Sequence, residues 1–438
     1  MRIAIIGSGI SGLTSALCLG EKYDVTLIEK EHRLGGHTNT TNIDLKGRTV
    51  AVDTGFIVFN NKNYPMFSNF LKHLNVESEW SDMSFGFSVD EGKMEYACDN
   101  LDKIFAQRLN LINPKFINGF LDVLRFQRQS LKDLSEGNVG DSTLGEYLEE
   151  KKFGNWLKDN YLLPLGASIW SSSTSSILDF PARNFILFFK NHDLMTGLKP
   201  AQRWRTVSGG AKKYVDEIMS RFNGKVRTGA EVVSSSRHNK KIRLMFHDGS
   251  SDQFDHLVFS CDAPTARKIL GNQSEHHCNE LENFQTSSNE CIVHCDESLM
   301  PLNKKVWSSW NFLSQGANID RLSPVCLTYW MNRLQNLDGR TQIFLSLNPQ
   351  REIQADKIFS KVTYKHPVMN LESFTRQKNL KKMQGKGNIW FTGAWLGNGF
   401  HEDGIVSALE VCKCFGDLPQ WVFDDTYVYG SSNLRAAE

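Results

Sequence analysis

The chain has 438 residues, which is more than one hydrophobic core normally serves, and this length predicts two domains. Its 50 Lys and Arg residues are balanced by 49 Asp and Glu residues, and the net charge of +1 provides no basic field for nucleic acid. Nine scattered cysteines argue against a disulfide framework and favour the cytoplasm, and the first strand begins too early, at Arg2, to leave room for a signal peptide.

A glycine-rich turn follows the first strand. The apolar run 2–6 predicts a strand and residues 10–19 have the pattern of an amphipathic helix, so the glycines lie on the turn between them. Such a turn presents free N–H groups at a helix N-terminus, where a pyrophosphate can bind. The residues of this turn are Gly7, Ser8, Gly9, Ile10, Ser11 and Gly12.

A second strand over residues 23–28 is followed by Glu29, about twenty residues after the glycines. An acidic side chain at this point binds a ribose 2′-hydroxyl, whereas an arginine would suit a 2′-phosphate. The unit therefore predicts a dinucleotide site, and taken alone it fits FAD and NAD equally.

The next segment distinguishes the two cofactors. Lys30 and the run Arg33-Leu34-Gly35-Gly36-His37-Thr38 resemble the second phosphate-side motif of the flavin amine oxidoreductase superfamily, which includes amine oxidases, phytoene-type desaturases and protoporphyrinogen oxidases. NAD dehydrogenases have no such run. The segment Val50-Ala51-Val52-Asp53-Thr54-Gly55-Phe56 is similar to the one that passes beside the isoalloxazine ring in this superfamily.

Residues 101–190 are predicted to be mostly helical. Thr143 and Glu146 have the spacing of a capping box, and Pro181 begins a helix that continues through Lys190. Within 103–132, basic residues alternate with apolar ones, namely Ile104, Phe105, Leu109, Leu111, Ile112, Phe116, Ile117, Phe120 and Leu121. This composition fits an interfacial helix and peripheral contact with the inner membrane surface, but core packing is favoured because Pro114 interrupts the pattern. No apolar run is long enough to span a membrane.

Residues 285–350 are predicted to form short strands, with alternating apolar residues in 325–330 and 343–347. The histidines and cysteines near 276–295 suggest a zinc site at first sight. We reject it, because Cys291 and Cys295 share one face of a strand while His294 points to the other.

A second glycine-rich stretch lies near the end of the chain. Residues 389–393 predict a buried strand that enters it, and Asp403 begins a helix. The resemblance implies that the N-terminus of this helix faces the flavin and stabilises negative charge on the reduced ring. If one cofactor needs both glycine stretches, the two ends of the chain must meet around it.

The resemblance implies non-covalent FAD, and it assigns the cofactor contacts by position. Two departures from the family pattern concern the phosphate region: Ala394 stands where many members carry an acid, and His37 stands where amine oxidases commonly have arginine. The implied cofactor residues beyond the first turn are Glu29, Lys30, Arg33, Leu34, Gly35, Gly36, His37, Thr54, Gly55, Phe56, Val232, Cys261, Gly393, Ala394, Asp403, Gly404 and Ile405.

The predicted fold class is α/β, with a Rossmann-like FAD-binding domain of the GR2 type and an interleaved α+β substrate domain. The FAD-binding domain would comprise 1–75, 200–270 and 385–417, and the substrate domain 76–199 and 271–384. A C-terminal tail, 418–438, would be disordered at 431–433. The sequence leaves the oligomeric state open.

Further segments are similar to one bacterial branch of the superfamily, which itself resembles the N-terminal flavoprotein region of plant cyclopropane-fatty-acid synthases. They are 204–210, 293–296, 310–312 and 328–332. Relatives in this branch act on unsaturated fatty acyl chains as desaturases or double-bond isomerases, which implies a small apolar substrate. The alternatives are an amine oxidase and a non-catalytic flavoprotein that assists a lipid-modifying enzyme.

No catalytic base is assigned by the sequence. His401 and Glu402 immediately precede the flavin-facing helix and are therefore the candidate titratable groups, although they equally suit a role in anchoring the loop. Phe56 and Trp395 are candidates for shaping the pocket over the flavin, with core packing as the alternative. No metal is predicted.

Overall fold

The computed structural model describes residues 1–195, 203–314, 316, 324–416 and 418–424. The predicted disordered segment 431–433 lies outside the described residues. In chain order the strands are β1 (Arg2–Ile6), β2 (Asp24–Ile28), β3 (Thr40–Asp44), β4 (Thr49–Asp53), β5 (Ser78–Ser81), β6 (Phe85–Val89), β7 (Met94–Ala97), β8 (Trp204–Val207), β9 (Lys225–Arg227), β10 (Val232–His238), β11 (Lys241–Phe246), β12 (Ser251–Phe254), β13 (His256–Phe259), β14 (Gln285–His294), β15 (Trp310–Leu313), β16 (Leu327–Trp330), β17 (Phe344–Leu347), β18 (Ile358–Val368) and β19 (Ile389–Phe391).

Helices connect and cover these strands. In chain order they are α1 (Ile10–Gly20), α2 (Pro65–Leu74), α3 (Leu101–Ile104), α4 (Pro114–Glu136), α5 (Leu144–Glu150), α6 (Asn155–Leu157), α7 (Leu163–Trp170), α8 (Thr174–Leu178), α9 (Ala182–Asn191), α10 (Lys212–Arg221), α11 (Ala263–Leu270), α12 (Glu275–Leu281), α13 (Met331–Leu334), α14 (Leu371–Met383) and α15 (His401–Lys413). Among the described residues, none of these helices is both long and apolar enough to cross a bilayer.

A parallel sheet with strand order β19-β13-β1-β2-β9 joins the two ends of the chain. Successive side chains of β1 enter different cores: Ile3 and Ile5 pack with α1, α10 and α15, while Ala4 and Ile6 pack with α11 and the antiparallel sheet β10-β11-β12. Strands that are buried on both faces consist of short, continuous apolar runs. The strands of this sheet could therefore be predicted from the sequence.

A second sheet, with strand order β18-β14-β17-β16-β15-β6-β7, carries the largest core. Its apolar face, which includes Phe87, Val293 and Leu345, packs against side chains of helices α4 to α9. The predicted fold class, α/β with a Rossmann-like domain and an α+β domain, is confirmed. The residue limits given above for the two domains remain a prediction.

Local predictions in the helical region are confirmed in two places. Thr143 Oγ1 accepts from the Glu146 N–H at 3.2 Å, and Glu146 Oε2 accepts from the Thr143 N–H at 2.8 Å, so the capping box is present. Helix α9 starts directly after Pro181.

The favoured interpretation of segment 103–132 is wrong for part of it. Ile104 and Phe116 are buried as core packing requires, but Leu109 and Ile112 are 78% and 77% exposed. Pro114 does not interrupt a helix; it begins α4, where its missing N–H costs nothing. The turn just before it, Arg108–Leu111, leaves the side chains of Leu109 and Leu111 exposed to solvent.

Candidate active site

Residues from distant parts of the chain line one cavity of about 830 Å³. The cavity lies between the cofactor-type loops of the parallel sheet and the apolar face of the second sheet. The predicted site residues that line it are Gly9, Ile10, Ser11, His37, Thr54, Gly55, Phe56, Cys261, Gly393, Ala394, Trp395 and His401. The structure thus brings both glycine-rich stretches together, as a single cofactor would require.

The first glycine turn leaves room for a ligand at the N-terminus of α1. No atom lies within 4 Å of the position where a side chain on Gly9 would begin, and no side chain caps the helix there. At Gly12, in contrast, a Cβ would lie 1.9 Å from the Gly7 carbonyl oxygen. Gly9 is therefore open toward a ligand, whereas Gly12 is required by the packing of the turn itself.

Glu29 lies beside this turn. Its Oε2 accepts from the Ser8 N–H at 2.9 Å and the Ser8 hydroxyl at 2.7 Å, and its Oε1 accepts from the Glu31 N–H at 3.0 Å. The Gly35 N–H donates to the Ser8 carbonyl at 3.0 Å, which joins the two predicted phosphate-side motifs. These contacts hold the carboxylate beside the first glycine turn, and the ribose contact of Glu29 stays a prediction.

Other predicted cofactor residues lie outside the cavity lining. Gly404 and Ile405 hold α15 against α1: a Cβ on Gly404 would lie 2.8 Å from Ile10 Cγ2, and Ile405 is fully buried. Asp403 accepts from the Phe400 N–H at 2.9 Å and fixes the entry into α15. The full set of predicted cofactor residues outside the lining is Gly7, Ser8, Gly12, Glu29, Lys30, Arg33, Leu34, Gly35, Gly36, Val232, Asp403, Gly404 and Ile405.

Four histidine rings line the cavity in the neutral state. Burial lowers the pKa values of His37 and His192 to about 4, and it lowers the pKa values of His366 and His401 to about 3. Among the described residues, no hydrogen-bond partner meets the buried Nε2 of His37, so this atom fits a polar group of a bound ligand. The four rings provide hydrogen-bonding groups without adding charge.

His366 and Tyr364 extend this site, and the sequence analysis did not find them. Both belong to β18, and they lie two residues apart on the strand face that meets His37, whose ring centroid is 5.0 Å from each of theirs. The Asn289 amide donates to His366 Nδ1 at 2.9 Å. The alternation of Tyr364 and His366 places them on one face of β18, but no strand was predicted over these residues, and the alternation alone does not show which side of the strand meets His37.

The two candidate catalytic residues have different surroundings. The His401 ring stacks on Phe56 with centroids 3.7 Å apart, and its Nε2 lies 3.0 Å from the Tyr214 hydroxyl. Glu402 does not line the cavity; its carboxylate accepts from the N–H groups of Met66 and Phe67, at 2.8 and 3.0 Å, and so caps α2. The structure therefore supports the anchoring role for Glu402.

Both residues expected to shape the pocket line the cavity. The Trp395 indole N–H donates to the Cys261 carbonyl oxygen at 3.0 Å, which fixes the ring against the end of β13. The opposite wall comes from the second sheet and its helices, and it includes Phe85, Leu165, Ile169, Trp170, Phe188 and Leu345.

The carboxylates of the cavity lining are already partnered. Asp82 is paired with Arg333, Asp99 with Lys103, and Asp193 with Lys62. The fourth, Asp262, caps α11 by accepting from the Thr265 N–H at 2.9 Å. Within the described part of the chain, three of the four lining carboxylates are thus neutralised by basic side chains, and the fourth already accepts hydrogen bonds at the start of α11.

A parallel nucleotide-binding sheet with an apolar cavity beside its glycine turns defines a cofactor-dependent oxidoreductase of the two-domain type. The sequence profile of the flavin-containing amine oxidoreductases matches residues 10–348, and the chain belongs to this family. The predicted family resemblance is confirmed, and the protein is a flavin-dependent oxidoreductase.

Several solved structures share the fold. A protein assigned as a protoporphyrinogen oxidase, from Exiguobacterium sp. 255-15, has 13% identity and a TM-score of 0.67, over 94% of this chain and 98% of that one. A CLA-producing fatty acid isomerase from P. acnes has 14% identity and a TM-score of 0.68, over 94% and 98%. A putrescine oxidase bound to putrescine has 10% identity and a TM-score of 0.66, over 95% and 99%. At these identities the likeness concerns the fold, and no curated protein gives a significant match.

Proposed function

We propose that the protein binds FAD non-covalently and uses it to oxidise or isomerise an unsaturated fatty acyl chain. The observation that carries the proposal is a single cavity that connects Gly9, Gly55 and Ala394 with an apolar wall from the second sheet and its helices. An open space of this kind argues against the alternative of a non-catalytic flavoprotein.

The residues present fit the cofactor. The uncapped N-terminus of α1 and the open space at Gly9 suit a pyrophosphate, and the orphan Nε2 of His37 suits a polar edge of the ring system. When bound, FAD supplies a hydride acceptor. Burial raises the pKa of the Cys261 thiol, which keeps it protonated and unreactive, in agreement with non-covalent binding.

The cavity favours an apolar chain over an amine. Three of its four carboxylates are paired with basic side chains, the fourth caps a helix, and its histidines are neutral, so the lining compensates poorly for the water that an ammonium group would lose. Each buried methylene contributes about 0.8 kcal/mol, so a long chain needs no charged anchor.

Helix α7 gives the cavity a direction. Trp170, at the end of this helix, donates from its indole N–H to the Asn398 carbonyl at 3.0 Å. It therefore lies at the end of the cavity next to the second glycine-rich stretch. Leu165 lies about 7 Å further along the helix at about 1.5 Å per residue, and Tyr161 lies beyond it. An acyl chain would extend along this line.

All nine cysteines are free thiols, which supports the proposal that the protein works in the cytoplasm. An apolar substrate there is held in membranes, and peripheral contact with the inner membrane surface belongs to the same proposal.

The proposal is tested by mixing oxidised holoenzyme anaerobically with unsaturated fatty acids, their esters, and primary and secondary amines. We expect altered acyl products, with flavin bleaching if the reaction is a desaturation and without net bleaching if it is an isomerisation. Bleaching by amines, with every lipid recovered unchanged, would replace this proposal with the amine oxidase.

Filling the far part of the cavity gives a second prediction. Leu165→Trp should lower kcat/KM at least tenfold for long acyl chains and less for short ones, because the larger ring occupies the space of the chain end. Leu165→Met, which nearly conserves the volume, is the control. An equal loss for long and short chains, at unchanged flavin content, would contradict the assigned direction of the cavity.

A further inference from the structure

Five large apolar side chains are exposed within one stretch of the chain, residues 101–121. They are Leu101, Leu109, Leu111, Ile112 and Leu121, exposed by 53%, 78%, 51%, 77% and 55%. We call these five residues the leucine patch. Scattered apolar residues are common on protein surfaces, but five within 21 consecutive positions are a local concentration of exposed apolar side chains that calls for a partner.

The core beneath the leucine patch is already complete. Phe116 is buried, and the ring of Phe105 contacts both Phe116 and Phe120, with centroids 5.8 and 6.5 Å apart. A shift of the helices would therefore not bury the exposed side chains. A partner that covers them lies outside the described residues.

Basic side chains surround the leucine patch. Arg108 and Arg125 are ion-paired with Asp102 and Asp122, whereas no ion pair involves Lys115 or Arg128 among the described residues. Leucines and isoleucines bordered by lysine and arginine are typical of surfaces that enter the boundary between lipid headgroups and acyl chains. The unpaired cations add attraction to anionic lipid.

The cavity reaches the elements that carry the leucine patch. Cys98 and Asp99 line it, and they directly precede α3, which begins with Leu101. Gln127, from α4, lines the same part. The cavity lining thus includes residues two and three positions before Leu101 and a residue on the same helix as Leu121.

We propose that the leucine patch docks on the surface of a bilayer containing anionic lipid and sets the far part of the cavity against the acyl layer. The docking follows from exposure, charge and position, and only the delivery of an acyl chain rests on the function proposed above. The protein would lie on the membrane, with Leu109 and Ile112 inserted most deeply because they are the most exposed.

The test is sedimentation of the holoenzyme with vesicles of equal parts phosphatidylcholine and phosphatidylglycerol, and with phosphatidylcholine alone. We expect binding to both, tighter to the anionic vesicles and weakened there by salt. Leu109→Ser combined with Ile112→Ser should lower the partition constant at least tenfold, because two apolar anchors are removed from the acyl boundary.

A matched control removes two apolar side chains elsewhere. Val226 and Phe423 are 39% and 42% exposed, on β9 and after the end of the parallel-sheet region, and Val226→Ser with Phe423→Ser should leave vesicle binding unchanged. Flavin absorbance and the unfolding midpoint show that both double variants are folded.

Three results would overturn the docking: no binding of the wild type, equal binding of the Leu109/Ile112 variant, or a wild-type dimer that this variant breaks. The last would assign the leucine patch to a contact between copies. Turnover of detergent-dispersed fatty acids is measured in parallel and should survive in the variant. Vesicle binding without any acyl product would retain the docking and reject the proposed function. Acyl products without vesicle binding would reject the docking and retain the proposed function.

Discussion

Replacing Gly9 with alanine is expected to release the flavin while leaving the apoprotein folded. The backbone of Gly9 has φ −65° and ψ 179°, which alanine adopts without strain, and the added methyl would meet no protein atom within 4 Å. The methyl instead enters the open space at the N-terminus of α1, where we place the pyrophosphate. Because phosphate binding there depends on close approach of the backbone, we expect at least a tenfold loss of FAD affinity, or about 1.4 kcal/mol.

Gly12→Ala is the informative comparison. Its methyl would lie 1.9 Å from the Gly7 carbonyl oxygen, so the turn between β1 and α1 must open, and β1 is the central strand of the parallel sheet. We expect this variant to lose both flavin and stability, by several kcal/mol, as overpacking against an immobile backbone does.

Flavin content after gel filtration, FAD titration of the apoprotein and urea unfolding of the apoprotein distinguish the two variants. For Gly9→Ala, we expect an unfolding midpoint equal to that of the wild type and a lower affinity for FAD. If this variant retains flavin with wild-type affinity, the pyrophosphate does not lie at Gly9, and the assignment of the first glycine turn is wrong.

The cofactor turn was predictable because its signal is local. Gly7 to Gly12 and Glu29 are fixed by the dihedral angles and spacings of one strand-turn-helix-strand unit, and such a unit is readable from about 30 residues. The capping box at Thr143 was predictable for the same reason.

The wall of the site was not predictable, because its contacts are distant in the chain. His366 reaches His37 across more than 300 positions, and only the pairing of β18 with β14 turns it toward the cavity. Glu402 has the composition of a catalytic acid, and only the position of α2 shows that it caps a helix. The exposure of Leu109 and Ile112 could not be predicted from the sequence either, because an interfacial surface and the core-facing side of a helix have the same composition.

Stability is expected to fall as the pH rises from about 7 to 8, and Glu402 is the expected cause. Burial raises the pKa of Glu402 to about 8, whereas the unfolded chain releases this proton near the ordinary value of about 4.3. Between these values the folded state holds one proton more than the unfolded state. The free energy of unfolding therefore falls with rising pH, by up to about 1.4 kcal/mol per pH unit from this group, and levels off above pH 8.

Other buried carboxyl groups titrate at lower pH than Glu402. Burial raises the pKa of Asp403 to about 6 and that of Asp53 to about 7, so their contributions have the same sign, that of Asp403 ends below pH 7, and that of Asp53 fades between pH 7 and 8. The depressed pKa values of His37, His366 and His401 act in the opposite direction, because the unfolded chain binds the extra protons below about pH 6.5. Stability should therefore be highest at moderately acidic pH, and Glu402 should contribute the largest single part of the decline from pH 7 to 8.

Glu402→Gln tests this assignment directly. The amide oxygen still accepts from one N–H at the start of α2, so we expect a loss of about 1 kcal/mol at pH 6 and a decline from pH 7 to 8 that is less than half that of the wild type. Asp403→Asn is the matched control and should retain most of the wild-type decline, because the pKa of Asp403 lies below the window and its charge is the smallest of the causes that set the pKa of Glu402. Urea unfolding at a series of pH values measures both. A decline of wild-type size in Glu402→Gln would show that another group titrates there, and that the carboxyl group capping α2 is ionised in the folded protein.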